Sequence, residues 1–159
     1  MRYKEFNRNA VLEKSIPLFW KNGFAATPIS ALVEITGVNR FSLYSEFENK
    51  EGILHNALDL YFERYAQPKL DLLDAEVDIT DALKNFLNSY LVNIEKHPPG
   101  CFCIYIGTEM ADSDVIVKEK LDNYINTIES CLKNLLNRDA ELKAKSDFLK
   151  RQLSGLFCS

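Results

Sequence analysis

Between Arg40 and Ser45 the chain places one guanidinium, three hydroxyls and a phenyl ring: Arg40, Phe41, Ser42, Tyr44 and Ser45. Such a set breaks no bonds by itself. It can donate and accept hydrogen bonds along a surface and pack a ring against a methyl group, which is the chemistry of base edges and phosphates. A rigid element must hold it outward. Asn39 is a good N-cap for a helix from about Arg40 to Phe47, in which Leu43 and Phe47 share a face turned inward over Val38. Phe41, Ser42, Tyr44 and Ser45 then point elsewhere. Another helix precedes it: Thr27 can accept a backbone N–H at its start, Pro28 follows at the first helical position, and Ala31, Leu32 and Ile35 give an apolar side. Gly37 supplies the left-handed residue that ends it. Two helices joined by a short glycine-containing turn read as a helix-turn-helix, whose second helix enters the major groove. An ordinary helical hairpin in an all-α core has the same local pattern.

Covalent and metal chemistry have thinner support. His55 and His97 are the only histidines and lie far apart, and Cys101, Cys103, Cys131 and Cys158 show no paired zinc spacing. No metal or cofactor is expected. No Gly-rich phosphate loop or nucleophile elbow occurs, so an enzyme is not expected. Cys101 and Cys103 flank Phe102 after a Pro-Gly turn. A thiol near a helix N-terminus can have a lowered pKa, which makes an electrophile or oxidant sensor conceivable there.

The remaining elements all read as helices. An amphipathic first helix, Phe6 to Asn22, contains Pro17, whose missing N–H and ring should bend it. From about Lys50 to Ala66, Ile53, Ala57, Tyr61 and Tyr65 repeat at four-residue spacing beside Leu54, Leu58 and Phe62, so this helix must be buried on two sides, as a connector is. Pro68 is expected to close it, and the acidic stretch Asp71 to Asp81 to form a loop or short helix with Thr80 as a cap for the next element. That element carries Leu83, Phe86, Leu87, Tyr90, Leu91 and Ile94 and stops at His97-Pro98-Pro99-Gly100. Phe102 to Ala111, about Asp114 to Asn137, and a last helix with Leu142, Leu149, Leu153 and Leu156 complete the chain. The expected fold is all-α, with a three-helix helix-turn-helix domain (1–52) joined through the connector to a helical regulatory and dimerisation domain (53–159).

Composition and charge set the outer limits. At 47% hydrophobic residues the chain can fill a core and is not disordered. No stretch approaches the length of a membrane span, and the charged start lacks the apolar run of a signal peptide, so a cytoplasmic location without membrane contact is expected. A reducing compartment would keep the cysteines as thiols. The net charge is −4, divided as +1 over residues 1–52 and −5 over the rest. A basic bias this weak suits a few placed phosphate contacts rather than broad binding. Arg2, Lys4 and Arg8 are a reserve of charge for an N-terminal arm.

Helical bundles commonly hold ligands between their helices. Tyr61, Phe62, Phe86, Tyr90, Phe102, Tyr105 and Met110 could line such a pocket, and each could equally be core. The tyrosines stand out because a buried phenol wants a hydrogen-bond partner.

Gly23-Phe24, Thr27, Leu32, Glu34, Thr36-Gly37-Val38-Asn39-Arg40, Ser42-Leu43-Tyr44, Phe47 and Asn49-Lys50-Glu51 together resemble the N-terminal domain of the tetracycline-repressor (TetR) family, and Pro99-Gly100-Cys101 resembles a turn found in many members. The resemblance implies a one-component transcriptional regulator, usually a repressor. A small molecule bound among the C-terminal helices would release a homodimer from double-stranded DNA. It also implies that Thr27, Tyr44 and Lys50 touch phosphates, while Arg40, Phe41, Ser42 and Ser45, with Asn39 at the helix start, face the bases. Phe41 departs from the small residue common there, and Glu46 places a negative charge nearby, so a binding module with the same fold and an inactive reader stays open. Members commonly carry a further helix past the position of Leu156. Here either the chain is shortened, or its last helix and the one at 114–137 form a reduced dimer interface.

Overall fold

A computed structural model describes residues 7–75, 78–91, 100–141 and 143–145. The described residues form helices and no strands. The first three, α1 (Arg8–Asn22), α2 (Ile29–Thr36) and α3 (Arg40–Phe47), make the N-terminal unit. Asn7 caps α1, its side chain accepting from the Ala10 N–H, and the helix runs unbroken through Pro17. Arg2, Lys4 and Phe6 lie outside the described residues, as do Ile94, His97, Pro98, Pro99, Leu142, Leu149, Leu153, Leu156, Phe157 and Cys158.

The start of α2 differs from expectation. Pro28, not Thr27, occupies the cap position, and no side chain caps the helix. The chain leaves α1 through Gly23 at φ +82°, which folds Thr27 back so that its hydroxyl donates to the Gly23 carbonyl at 2.6 Å. Thr27 is fully buried. The inward side of α2 is also phased differently: Leu32 is buried and Ile29 and Val33 pack beside it, whereas Ile35 is exposed. Positions 29, 32 and 33 are the i, i+3, i+4 set of one helical face, and Ile35 falls off it.

The connector is α4 (Lys50–Tyr61), capped by Asn49, whose side chain accepts from the Gly52 N–H. It packs against α1 on one side and against α7 and α8 on the other. Pro68 does not end it. Residues Phe62–Ala66 form one π-helical turn, with the Gln67 N–H bonded to the Phe62 carbonyl, and α5 (Gln67–Asp74) continues with Pro68 in its first turn. A proline within a helix lacks the N–H and crowds the carbonyl four residues back, and the wider π turn just ahead of it accommodates both. The extra residue in that turn shifts the buried register. Buried positions pass from Tyr61 to Ala66, and Tyr65, four residues after Tyr61, is left exposed while stacking on the Tyr61 ring.

Three more helices follow: α6 (Ile79–Leu91), α7 (Phe102–Met110) and α8 (Val115–Leu136). Asp78 rather than Thr80 serves the start of α6, accepting from the Thr80 N–H at 2.8 Å. On α6 only part of the predicted stripe turns inward: Leu83 and Phe86 pack on the core while Leu87 and Leu91 are exposed. Asp114 caps α8 by accepting from the N–H groups of Ile116 and Val117. Aromatic side chains join the two halves of the molecule, with Trp20 of α1 meeting Tyr61 of α4 at 5.6 Å and Phe102 of α7 at 6.0 Å between ring centroids.

Candidate nucleic-acid interface

α3 is built as its residues dictate. Gly37 turns left-handed at φ +73° and its N–H closes α2 on the Val33 carbonyl. Asn39 then caps α3, its side chain accepting from the Ser42 N–H at 2.9 Å. Leu43 and Phe47 are buried and Val38 packs against the same core. With the inner face seated, Arg40, Phe41 and Ser45 are exposed and Ser42 and Tyr44 half-buried. Phe41 is 68% exposed, a large apolar ring held on the surface. The Arg40 guanidinium lies 5.1 Å from the centroid of the Tyr44 ring, one helical turn on. That stacking limits the cation's freedom without neutralising it.

Glu46 is not an isolated negative charge. The Arg8 guanidinium pairs with it at 3.4 Å, donates to Asn56 at 2.6 Å and sits over the Phe47 ring. Arg8 thus ties α1, α3 and α4 together. The pair is exposed, so it adds little stability, but it places a cation beside the carboxylate at the edge of α3.

Two of the predicted contact residues have other work in this structure. The buried Thr27 hydroxyl is committed to Gly23 and has no surface to offer a phosphate. The Lys50 ammonium donates to the carbonyls of Phe24 at 3.0 Å and Thr27 at 3.1 Å and rests 4.1 Å from the centre of the Phe24 ring. It clamps the α1–α2 turn to the start of α4. From the other side Glu109, in the last turn of α7, accepts from the Phe24 and Ala25 N–H groups at 2.9 Å each. The turn that positions the reader is therefore held by one cation and one carboxylate from different helices, and composition gave no sign of Glu109.

Of the ligand residues expected from sequence, Phe62 lines a cavity of about 360 Å³ that opens between α4 and α8. Its walls are Leu58, Phe62, Val117 and Leu121, with Asn123, Thr127, Tyr124 and Cys103 as polar groups and the Lys120–Asp59 ion pair alongside. Tyr61 and Phe102 are core, stacked edge to face with each other. Phe86 packs edge to face on Tyr90, and Met110 lies half-buried against the core. Tyr105 is exposed and borders a separate depression of about 260 Å³ beside Gly23 and Glu109. Tyr124 was missed as a polar group. It belongs to the apolar stripe of α8, and the reasoning applied to Tyr61, that a buried phenol seeks a partner, would have found it.

Electrostatics concentrate at the start of α7. The Cys101 thiol is held down to about 5, by the hydrogen bond from the Cys103 thiol and, against the cost of burial, by the Tyr124 hydroxyl, the Ile104 N–H and the Tyr61 hydroxyl. Cys103 is pushed up by that same hydrogen bond and by burial. Among the described residues no three potential metal ligands cluster, and no helix is long and apolar enough to cross a membrane.

The family model described as "Bacterial regulatory proteins, tetR family" matches residues 11–57. The chain is 38% identical over 106 residues to the HTH-type transcriptional repressor ComR of Escherichia coli (strain K12), covering 65% of this chain and 50% of that relative. It therefore spans half the length of that curated relative. Among solved structures, a TetR transcriptional regulator from Legionella pneumophila aligns with a TM-score of 0.77 at 14% identity, covering 98% of this chain and 84% of the other. A CifR cysteine mutant complexed with 26-base-pair operator DNA aligns with a TM-score of 0.61 at 19% identity, covering 91% of each chain. At these identities the two structures establish a shared fold.

Proposed function

We propose that this chain is a member of the TetR family of bacterial regulatory proteins and acts as a sequence-specific DNA-binding transcriptional regulator, a repressor released by a small molecule bound among its C-terminal helices. The observation that carries the reading is the outer face of α3, where Arg40, Phe41 and Ser45 stand exposed above the buried Leu43 and Phe47. An exposed phenylalanine beside an arginine costs solubility and is repaid where a groove covers it. Arg40 can pair with guanine O6 and N7, Phe41 can pack on a thymine methyl, and Ser42 and Ser45 can bond to either strand's bases. Tyr44 offers its hydroxyl to a phosphate. With Thr27 internal, the phosphate at the start of α2 falls to backbone N–H groups there, since no side chain caps that helix. Lys50 has one ammonium proton beyond its two carbonyl bonds.

The partner is double-stranded DNA, and the active form is a homodimer, because two readers about 34 to 36 Å apart meet successive major grooves on one face of the duplex. The ligand site is the cavity between α4 and α8, whose Leu58, Phe62 and Val117 walls suit a small, largely apolar molecule. Titration on DNA from upstream of its own gene at several salt concentrations, beside Arg40→Ala and Tyr44→Ala, tests the reading. The expected result is salt-dependent binding that both substitutions weaken. Binding indifferent to both refutes the assigned contacts, and a strict monomer at micromolar concentration favours a binding module with an inactive reader.

A further inference from the structure

The cavity between α4 and α8 has apolar walls and a single cation. Leu58 comes from α4, Phe62 from the π turn that follows it, and Val117 and Leu121 from one face of α8. Packing behind the walls fixes them. A Cβ at Gly107 of α7 would meet the Leu121 Cδ2 at 2.5 Å, and the Phe62 ring stands edge to face on Tyr124 at 5.8 Å between centroids. Two polar lining groups are neutral: Cys103 is pushed up by its hydrogen bond to Cys101 and by burial, and Tyr124 by burial first. Lys120 of α8 and Asp59 of α4, paired with each other, are the charged groups among the described lining residues.

That pair is unequal. The Lys120 side chain is 28% exposed and that of Asp59 62%, so the lysine stem belongs to the wall while the carboxylate leans into water. A ligand anion that takes the Lys120 ammonium leaves Asp59 hydrated, at little cost. A ligand cation that takes Asp59 leaves Lys120 half-buried, without its partner and beside a like charge. The site therefore favours an anion. Among the described residues the lining holds one lysine and no arginine. A lone ammonium is a point charge that matches a monoanion, whereas a phosphate is better held by several cations or a bidentate guanidinium. The Asn123 side-chain amide, one turn along α8 from Lys120, can donate to a second carboxylate oxygen.

We propose that this cavity binds a small monocarboxylate with an apolar body, such as a medium-chain alkanoate, its carboxylate on Lys120 in place of Asp59 and its hydrocarbon between Leu58, Phe62, Val117 and Leu121. The inference deepens the ligand-released reading given above and takes its regulatory meaning from it, because the anion replaces an ion pair that ties the connector to α8. Binding itself requires no DNA.

Calorimetric titration of the full chain with octanoate, 1-octanol and octylamine, which share one hydrocarbon and differ in the head group, tests the assignment. Octanoate should bind about tenfold more tightly than either of the others, because its head alone makes a charge-assisted bond to Lys120. Hexanoate should bind about tenfold more weakly than octanoate, since two buried methylenes are removed. Lys120→Met keeps an apolar stem and should lower octanoate affinity about tenfold while leaving that for 1-octanol within about twofold. Asp59→Asn removes the competing carboxylate and should strengthen octanoate by about twofold to fivefold. Octylamine binding as tightly as octanoate, an equal loss of octanoate and 1-octanol affinity in Lys120→Met, or no binding of octanoate at millimolar concentration overturns the proposal. Operator binding is scored separately, without added carboxylate: its absence removes the regulatory reading and leaves the calorimetric result standing.

Discussion

Glu109 holds the backbone N–H of Phe24 at 2.9 Å, across 85 positions of sequence, and the same carboxylate takes the Ala25 N–H. The residue before them, Gly23, is at φ +82°, and a Cβ there would lie 2.8 Å from the Glu109 Oε2. Helix α7 thus grips the turn between α1 and α2 at a point shaped to receive it.

Replacing Glu109 with Gln keeps the shape and removes the charge. The two charge-assisted bonds lie at a partly exposed site, so the expected loss is about 1 kcal/mol, read by urea denaturation. Gly23→Ala should cost more, about 1 to 3 kcal/mol, because a side chain at positive φ adds backbone strain to the clash. Equal stability of Gly23→Ala and the parent would show that the turn is not held as described.

Lys50→Met separates two roles. The alkyl stem can still cover the Phe24 ring, but the bonds to the Phe24 and Thr27 carbonyls are lost. Chemical denaturation should show a decrease of about 1 to 3 kcal/mol. If its remaining proton also meets a phosphate, the variant binds all DNA sequences more weakly and the slope of log affinity against log salt falls by about 1.

Arg40→Ala should leave stability within about 0.5 kcal/mol, since the side chain is exposed. Operator affinity should drop by about 1 to 3 kcal/mol with relaxed preference at one base pair, measured by competition between operator variants.

Asp114 gives a pH signature. Burial raises its pKa, but the His55 hydrogen bond at 2.7 Å, the Val117 N–H and the His55 charge outweigh that and leave it below the ordinary carboxylate range. A carboxylate depressed in the folded state stabilises above its unfolded pKa, about 3.9, and the contribution disappears as pH falls through the lower folded value. Asp114→Asn should therefore be less stable than the parent at pH 6, and the gap should close as pH drops below about 4. A gap independent of pH would remove the charge from the account and leave only the cap.

What the sequence by itself determined is the set of features whose causes lie within one turn of chain. Asn39 caps α3 because its side chain reaches the N–H three residues on, Gly37 ends α2 because it alone there tolerates positive φ, and Leu43 with Phe47 faces inward because helical spacing puts them on one side. The outer face of the reader follows from these, and so was legible. Tertiary structure decided the partners of groups that reach. Whether the Lys50 ammonium meets a phosphate or two carbonyls, whether Glu109 is a surface charge or a clamp, and whether Pro68 stops a helix or follows a π turn depend on backbone brought in from 23 to 85 positions away or on a register shift upstream. The same holds for the expected ligand residues. Periodicity marks Tyr61, Phe102 and Tyr124 alike as apolar-face residues, and only the packing of α4, α7 and α8 brings the Tyr61 and Tyr124 hydroxyls to the Cys101 sulfur while the Phe102 ring fills the core.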